Sequence, residues 1–259
     1  MKLLIFAGGY GSRLAEFTSN TPKPLVQIGG KPIIWHIMKY YSTFGVNEFV
    51  LLVGYKALEF VDYFKTFNSD NFDIEIQTNS QEMIVHRKNI DNWSIRIIDT
   101  GLDTMTGSRL YRAKHSVEND DNFFLTYGDG LSNIDLSKLS NHHHSSDNCV
   151  TLSAVSPPGR FGVIEMDYEN NKVTNLIEKP NGDGALINGG FFVVSSEIFN
   201  EHFEEVSTVW ETDILESLSA KNKLGLFKHT DFWQSMDTLR EKQKLEYLWK
   251  QKECPWRIW

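Results

Sequence analysis

This 259-residue chain predicts an α/β fold, a mixed, mainly parallel sheet flanked by helices, and three observations carry the prediction. Short apolar runs alternate with helix-length amphipathic segments through the first half, which is the pattern of strand-helix-strand units. Those runs are apolar at nearly every position, as strands covered on both faces are. The first of them, Leu3-Leu4-Ile5-Phe6, passes almost at once into Gly8-Gly9-Tyr10-Gly11, a strand-to-glycine turn of Rossmann-like kind.

Leu3–Phe6 reads as the opening strand. Pro32–Phe44 reads as a helix, because a proline at the first turn loses no hydrogen bond and apolar residues follow at helical spacing. Glu48–Val53 is the second strand and Lys56–Phe67 a second helix, while Ile74–Gln77 and Ile95–Asp99 read as further strands. Thr106–Val117 has a helical pattern, Phe123–Thr126 is a buried strand, and Asp135–His143 is a helix. After Cys149 the pattern shifts to strands at Val150–Val155, Gly162–Met166, Lys172–Glu178 and Gly189–Val194. Helices return at Trp210–Ala220 and Thr238–Lys250. No repeat, linker or low-complexity stretch interrupts this order, so residues 1–259 are read as one domain with a strand-rich C-terminal half.

Composition narrows the function classes. The chain is 41% apolar and 23% charged, ordinary for a globular protein, and its net charge of −8 argues against a nucleic-acid partner. No run of about 18 apolar residues and no signal-peptide pattern is present, so no membrane association and a cytoplasmic location are expected. Cys149 and Cys254 lie far apart without a CxxC pattern, which suggests buried thiols in a reducing compartment. His142-His143-His144 cannot close one tetrahedral zinc site, since neighbours on a helix point about 100° apart. A solvated helix end is expected there. The last six residues, Cys254-Pro255-Trp256-Arg257-Ile258-Trp259, carry aromatics costly to expose, and are expected to pack on the body or on a neighbouring subunit.

The glycine turn continues Gly11-Ser12-Arg13-Leu14, with Lys23 further on between Pro22 and Pro24. Glycines let successive N–H groups converge on one anion, and Arg13 and Lys23 would neutralise charge that amides cannot. Leu14 stands where the dinucleotide fingerprint requires its third glycine, and no P-loop run occurs. A plain tight turn is the other reading. Asp129, between Gly128 and Gly130, follows the apolar run Phe123–Thr126, where ligands of open parallel sheets bind; a simple Asp-Gly turn explains it equally. Asp237 ends an aromatic-rich segment and is either a second metal-ligand candidate or part of the N-cap of the helix from Thr238. Mg²⁺ takes one or two carboxylates plus substrate phosphates, and two aspartates suit that number. Pro180 biases Lys179 in Glu178-Lys179-Pro180 towards an extended backbone, so the cation projects from a strand end, unless it forms a surface ion pair. Asn188-Gly189-Gly190 suits a polyhydroxyl ligand or a β-bulge.

In this order, GG-x-G-S-R-L, Lys-Pro, Gly-Asp, Glu-Lys-Pro and a late aspartate, the chain resembles the sugar nucleotidyltransferases. Met105-Thr106-Gly107-Ser108-Arg109-Leu110, Pro157-Pro158-Gly159-Arg160-Phe161-Gly162 and Met236-Asp237-Thr238-Leu239-Arg240 are similar to the branch that transfers cytidylyl groups to glucose 1-phosphate. The resemblance implies a nucleotide-binding half over residues 1–148 and a sugar-phosphate-binding half over 149–259. It implies CTP and α-D-glucose 1-phosphate as substrates, CDP-glucose and pyrophosphate as products, and Mg²⁺ on Asp129 and Asp237. Phe6, Ala7, Gly8, Gly9, Tyr10, Gly11, Ser12, Arg13, Lys23, Thr104, Arg109 and Gly128 would surround the nucleotide, with Lys23 on the α-phosphate. Glu178, Lys179, Asn188 and Gly189 would hold the sugar phosphate, and Arg13, Lys23, Asp129 and Lys179 would carry catalysis. Arg109 is a candidate donor to cytosine, or a solvated helix-surface residue. The resemblance also implies a homo-oligomer working towards deoxysugars of a bacterial surface polysaccharide. The alternatives are transfer from a thymidine or uridine nucleotide and a catalytically silent sugar-nucleotide-binding regulator.

Overall fold

The computed structural model describes residues 1–11, 18, 21–67, 72–80, 82–87, 91–157, 163–167, 169–170, 172–177 and 185–259. Seven strands build the central sheet: β1 (Leu3–Ala7), β2 (Glu48–Val53), β3 (Ser94–Asp99), β4 (Asn122–Tyr127), β5 (Val150–Val155), β6 (Ile187–Ser195) and β7 (Leu224–His229). Their order is β7-β5-β6-β4-β1-β2-β3. β6 runs against both of its neighbours and every other pairing is parallel, so the mixed, mainly parallel sheet expected from the apolar runs is present. Strands from both halves of the chain share this one sheet.

Alternation along the strands divides the core between the two faces. Leu3, Ile5 and Ala7 face helices α1 (Ile33–Ser42) and α6 (Leu239–Lys250), whereas Leu4 and Phe6 face α3 (Thr106–Arg112) and Trp210. Between them in sequence come α2 (Ala57–Thr66) and α4 (Leu136–His144), and α5 (Glu216–Ala220) precedes α6. Pro32 occupies the N-cap of α1, one residue outside the helix expected from it. The helix expected over Thr106–Val117 ends at Arg112 and gives way to a 3₁₀ turn at Lys114–Ser116. That expected over Trp210–Ala220 begins as a π turn, Trp210–Leu215, before α5. Besides the short strands Gln27–Ile28, Lys31–Pro32, Gly130–Ser132 and Trp233–Ser235, two strands were absent from the sequence reading. One is Glu82–Arg87, which pairs with Phe72–Gln77; the other is β7, a half-exposed edge strand carrying Gly225 and Lys228 where an apolar run would be expected.

The C-terminal segment packs on the body. Trp256 is fully buried, and its indole Nε1–H points to Nδ1 of buried His36 at 3.4 Å, while His36 Nε2 meets the Ile28 carbonyl at 2.9 Å. That pair of partners selects the neutral tautomer protonated on Nε2. The solvated helix end expected at His142–His144 is corrected at its middle residue: His143 is buried, with Thr151 Oγ1 at 2.8 Å from Nδ1 and Asn122 Oδ1 at 3.1 Å from Nε2. The helix turns that one side chain onto β5 while its neighbours stay outside.

Burial holds both His36 and His143 down to a pKa of about 4. The unfolded chain takes up these protons from about pH 6.5, so between the two values it binds more protons than the folded chain. Stability is therefore complete above pH 6.5 and is lost as pH falls towards 4. For His36 the loss is on the order of 3 kcal/mol. Urea midpoints measured from pH 7 downwards should begin to fall above pH 5, before ordinary carboxylates titrate. A flat profile to pH 5 would remove both histidines from the stability balance.

Candidate active site

From β1 the chain moves to β2 and β3 on one side, then crosses back to β4 on the other. The carboxyl ends of β1 and β4 therefore flank the point where strand order reverses, and a crevice opens there. A cavity of about 540 Å³ occupies it, lined by Phe6–Gly11, Lys23, the Leu102–Thr106 segment, Tyr127–Asp129 and Asp237. The structure thus brings Phe6, Ala7, Gly8, Gly9, Tyr10, Gly11, Lys23, Thr104, Arg109, Gly128, Asp129 and Asp237 to one cavity. Ser12, Arg13, Glu178 and Lys179 lie outside the described residues.

Backbone registry explains why two aspartates distant in sequence meet. The Gly128 N–H donates to the Phe6 carbonyl (3.0 Å), which carries the β1–β4 pairing one step past β4. Gly130–Ser132 then pairs antiparallel with Trp233–Ser235, and the Met236 N–H donates to the Asp129 carbonyl (2.8 Å). Residue 237 is left beside residue 129. Lys23, in a 3₁₀ turn made rigid by Pro22 and Pro24, sends its ammonium between them, to Asp129 Oδ2 at 2.5 Å and Asp237 Oδ1 at 2.6 Å. Burial disfavours the ammonium, but attraction and hydrogen bonds from Asp129 and then Asp237 outweigh it, so the Lys23 pKa lies above the ordinary lysine value. The cap of α6 belongs to Thr238, whose hydroxyl accepts from the Glu241 N–H while Glu241 Oε2 accepts from the Thr238 N–H. Asp237 is thereby left to face the cavity.

This geometry fits a divalent cation. Two carboxylates converge on one point already held by a positive group, and oxygen donors in that number suit Mg²⁺ completed by phosphates and water. Among the described residues no cluster of three or more His, Cys, Asp or Glu competes with this pair.

Arg109 departs from one of the two readings the sequence offered. It is 5% exposed, which excludes a solvated helix surface. Its Nη1 donates to Thr100 Oγ1 (2.6 Å) and to the carbonyls of Gly101 (2.8 Å) and Val53 (3.2 Å). Its Nη2 donates to the carbonyls of Leu102 (3.1 Å) and Gly8 (3.2 Å). The guanidinium fork thus ties together the ends of β1, β2 and β3 beneath the cavity, and both terminal nitrogens are already spent on protein acceptors. Gly8 and Gly54 are glycines for this reason, since a Cβ on either would fall 2.3 or 2.4 Å from Arg109 Nη1.

Gly189 and Gly190 form the β-bulge that was one of their two readings, with pairing shifted between Leu152 and Ala154 of β5. Asn188 Oδ1 accepts from the Gly190 N–H (2.9 Å), so its amide braces the bulge and its Nδ2 meets the Tyr127 hydroxyl at 3.4 Å. Sequence reasoning missed two residues here. Tyr127 lines the cavity beside Asp129, and its phenol donates to Glu211 Oε1, which pushes the phenol pKa far up after burial has already raised it. Glu211 stands on the π turn and also accepts from Thr106 (3.2 Å), so an irregular helix is what brings its carboxylate under the cavity wall.

Comparison with known proteins agrees with this architecture. The family described as nucleotidyl transferase matches residues 2–238. The chain is 42% identical over 259 residues to a glucose-1-phosphate cytidylyltransferase of Salmonella typhi, covering all of both chains. It is 36% identical, again over the whole of both, to a probable glucose-1-phosphate cytidylyltransferase of Bacillus subtilis (strain 168). In fold it is similar to HddC from Yersinia pseudotuberculosis, with a TM-score of 0.69, 23% identity and coverage of 96% of this chain and 99% of that one. An inositol-1-phosphate CTP transferase from T. maritima gives a TM-score of 0.64 at 16% identity, covering 97% of this chain and 96% of the other. With its family match spanning residues 2–238 and the crevice at the strand-order reversal holding the paired aspartates, the chain belongs to the nucleotidyl transferase family.

Proposed function

We propose that this enzyme transfers a cytidylyl group from CTP to α-D-glucose 1-phosphate, giving CDP-glucose and pyrophosphate. The observation that carries the reading is the Lys23–Asp129–Asp237 cluster at the reversal crevice, in a chain 42% identical over its full length to a protein of that name. A phosphate oxygen of the sugar attacks the α-phosphorus in line and pyrophosphate leaves opposite. No general base is needed, because a phosphate monoester is mostly dianionic at neutrality (second pKa about 6). The obstacle is bringing two anions together, so the work is positioning and charge neutralisation. Lys23 supplies a point charge beside the reacting phosphates, and the glycine-loop amides cradle the nucleotide phosphates. Asp129 and Asp237 would hold Mg²⁺, which when bound supplies further positive charge to the phosphoryl oxygens. Arg13 is assigned to the leaving pyrophosphate, and Lys179, with Glu178, Asn188 and Gly189, to the sugar phosphate.

We read the enzyme further as a cytoplasmic homo-oligomer supplying an activated hexose for surface-polysaccharide deoxysugars. Among the described residues no helix is long and apolar enough to cross a membrane. Val173 and Leu176 stand 61% and 63% exposed on one antiparallel hairpin, apolar surface of the kind a second subunit covers.

Pyrophosphate release with glucose 1-phosphate and Mg²⁺, comparing CTP, UTP, dTTP and ATP against an EDTA control, tests the proposal. Metal-dependent release fastest with CTP is expected. Release favouring another nucleotide would keep the transfer chemistry and overturn the choice of base, and no release with any nucleotide would overturn the reaction.

A further inference from the structure

The cavity has a lip that the phosphate chemistry does not use. From Asp129 past β4 to the Leu102–Met105 segment past β3, the sheet order crosses β1 and β2, a span of three strand spacings or about 14 Å. With the reacting phosphates at the Asp129 end, the far end is where a nucleobase lies. There Tyr10, from the glycine turn beyond β1, reaches across the top of β2. Its hydroxyl donates to Asp103 Oδ1 at 2.9 Å, and its ring sits 5.2 Å from that of Tyr55. Tyr10, Leu102 and Met105 are each about half exposed and all line the cavity. Three apolar side chains left uncovered around one slot match the face of a flat ring.

We propose that Tyr10 and Asp103 form a strap over the base end of the nucleotide pocket, Asp103 fixing the tyrosine ring as a platform for the pyrimidine. This rests on the cytidylyl-transfer reading. Gly11 and Gly101, at φ +63° and +88°, flank the two halves of the strap and set its two arms in backbone conformations that glycine adopts freely. The hydrogen bond to Asp103 raises the Tyr10 pKa, the direction that accompanies a phenol donating to a carboxylate. The platform touches the face of the base, not its edge, so it holds any pyrimidine and leaves the choice between cytosine and uracil to other groups.

Steady-state kinetics on Tyr10→Phe, Asp103→Ala, their double variant and Tyr10→Ala test the strap, with pyrophosphate release as the readout. Tyr10→Phe and Asp103→Ala should each raise KM for CTP about three- to tenfold, with kcat moved less than twofold and KM for glucose 1-phosphate unchanged. The double variant should match either single one, because both remove the same bond. Tyr10→Ala should raise KM for CTP further, and KM for UTP by the same factor. An unchanged KM for CTP in Tyr10→Ala, or equal rises in KM for CTP and for glucose 1-phosphate, would overturn the strap. A rise confined to CTP would show edge reading and overturn the platform. If the wild-type enzyme releases no pyrophosphate from CTP, it is the underlying reading that fails, before any variant is compared.

Discussion

Replacing Lys23 by Met should cut kcat for pyrophosphate release by about 10²–10³-fold while tightening the binding of a divalent ion to the substrate-free protein. The argument begins with the ammonium's position, 2.5 Å from Asp129 and 2.6 Å from Asp237. Each contact is a charge-assisted hydrogen bond shielded from bulk water, since the Lys23 side chain is only 12% exposed. Two unit charges about 4 Å apart attract by about 4 kcal/mol at an effective dielectric of 20. An incoming cation must therefore displace an ammonium from the same oxygens. Methionine keeps the volume and removes the charge, so the two carboxylates repel one another until an ion arrives. Titration with Mn²⁺ by calorimetry should show affinity raised at least about tenfold, equivalent to about 1.4 kcal/mol. Under the proposed reaction catalysis should fall at the same time, because the reacting phosphates would lose a neutralising cation. Unchanged Mn²⁺ affinity would show that ammonium and ion do not share the site, and a fall in kcat of less than about tenfold would remove Lys23 from charge neutralisation.

Much of this was legible in the sequence, for identifiable reasons. Leu3–Ala7, and Glu48–Val53 and Asn122–Tyr127 inside their end residues, are buried on both faces, so their apolar character is continuous and their strand assignment direct. The glycine turn and the Gly128-Asp129-Gly130 run follow such strands immediately, which places them at the crevice. β7 was invisible because it lies at the sheet edge, where alternating exposure and a glycine erase the signal. The meeting of Asp129 with Asp237 was expected from resemblance, but its cause, a three-residue ladder between Gly130–Ser132 and Trp233–Ser235, is too short to read from sequence. Glu211 was hidden for a different reason. A helical pattern over Trp210–Ala220 predicts α spacing, and the π turn rotates Glu211 towards Tyr127 and Thr106 instead. Arg109 shows the reverse limit: its importance was visible, but its partners are mostly backbone carbonyls, which carry no sequence signature.

Replacing Arg109 by Ala should therefore damage the fold of the site more than the recognition of any one substrate atom. Five acceptors lose the guanidinium at once: the carbonyls of Gly8, Val53, Gly101 and Leu102, and the Thr100 hydroxyl. Gly8 keeps the Tyr55 N–H and Val53 keeps the Thr100 N–H and hydroxyl, so the loss falls on the Gly101 and Leu102 carbonyls. A buried acceptor left unsatisfied costs about 1–3 kcal/mol, and water entering from the adjoining cavity recovers part of the total. A net loss of about 3 kcal/mol, or a fall in Tm of about 6–12 °C for a domain of this size, is the expected result. KM for the nucleotide should rise with it, because the glycine turn and the Leu102–Met105 lip are no longer held in register. The partnership with Gly8 supplies a sharper test. Gly8→Ala alone drives a Cβ to 2.3 Å from Arg109 Nη1, a clash the buried fork cannot relieve without breaking its carbonyl bonds. In the Arg109→Ala background that obstacle is gone, so the double variant should be scarcely less stable than Arg109→Ala alone. Additive losses of Tm would show that Gly8 is held by its own backbone conformation and not by the guanidinium. A Tm for Arg109→Ala within 2 °C of wild type would mean that water replaces the fork at little cost, leaving Arg109 to be judged by nucleotide binding alone.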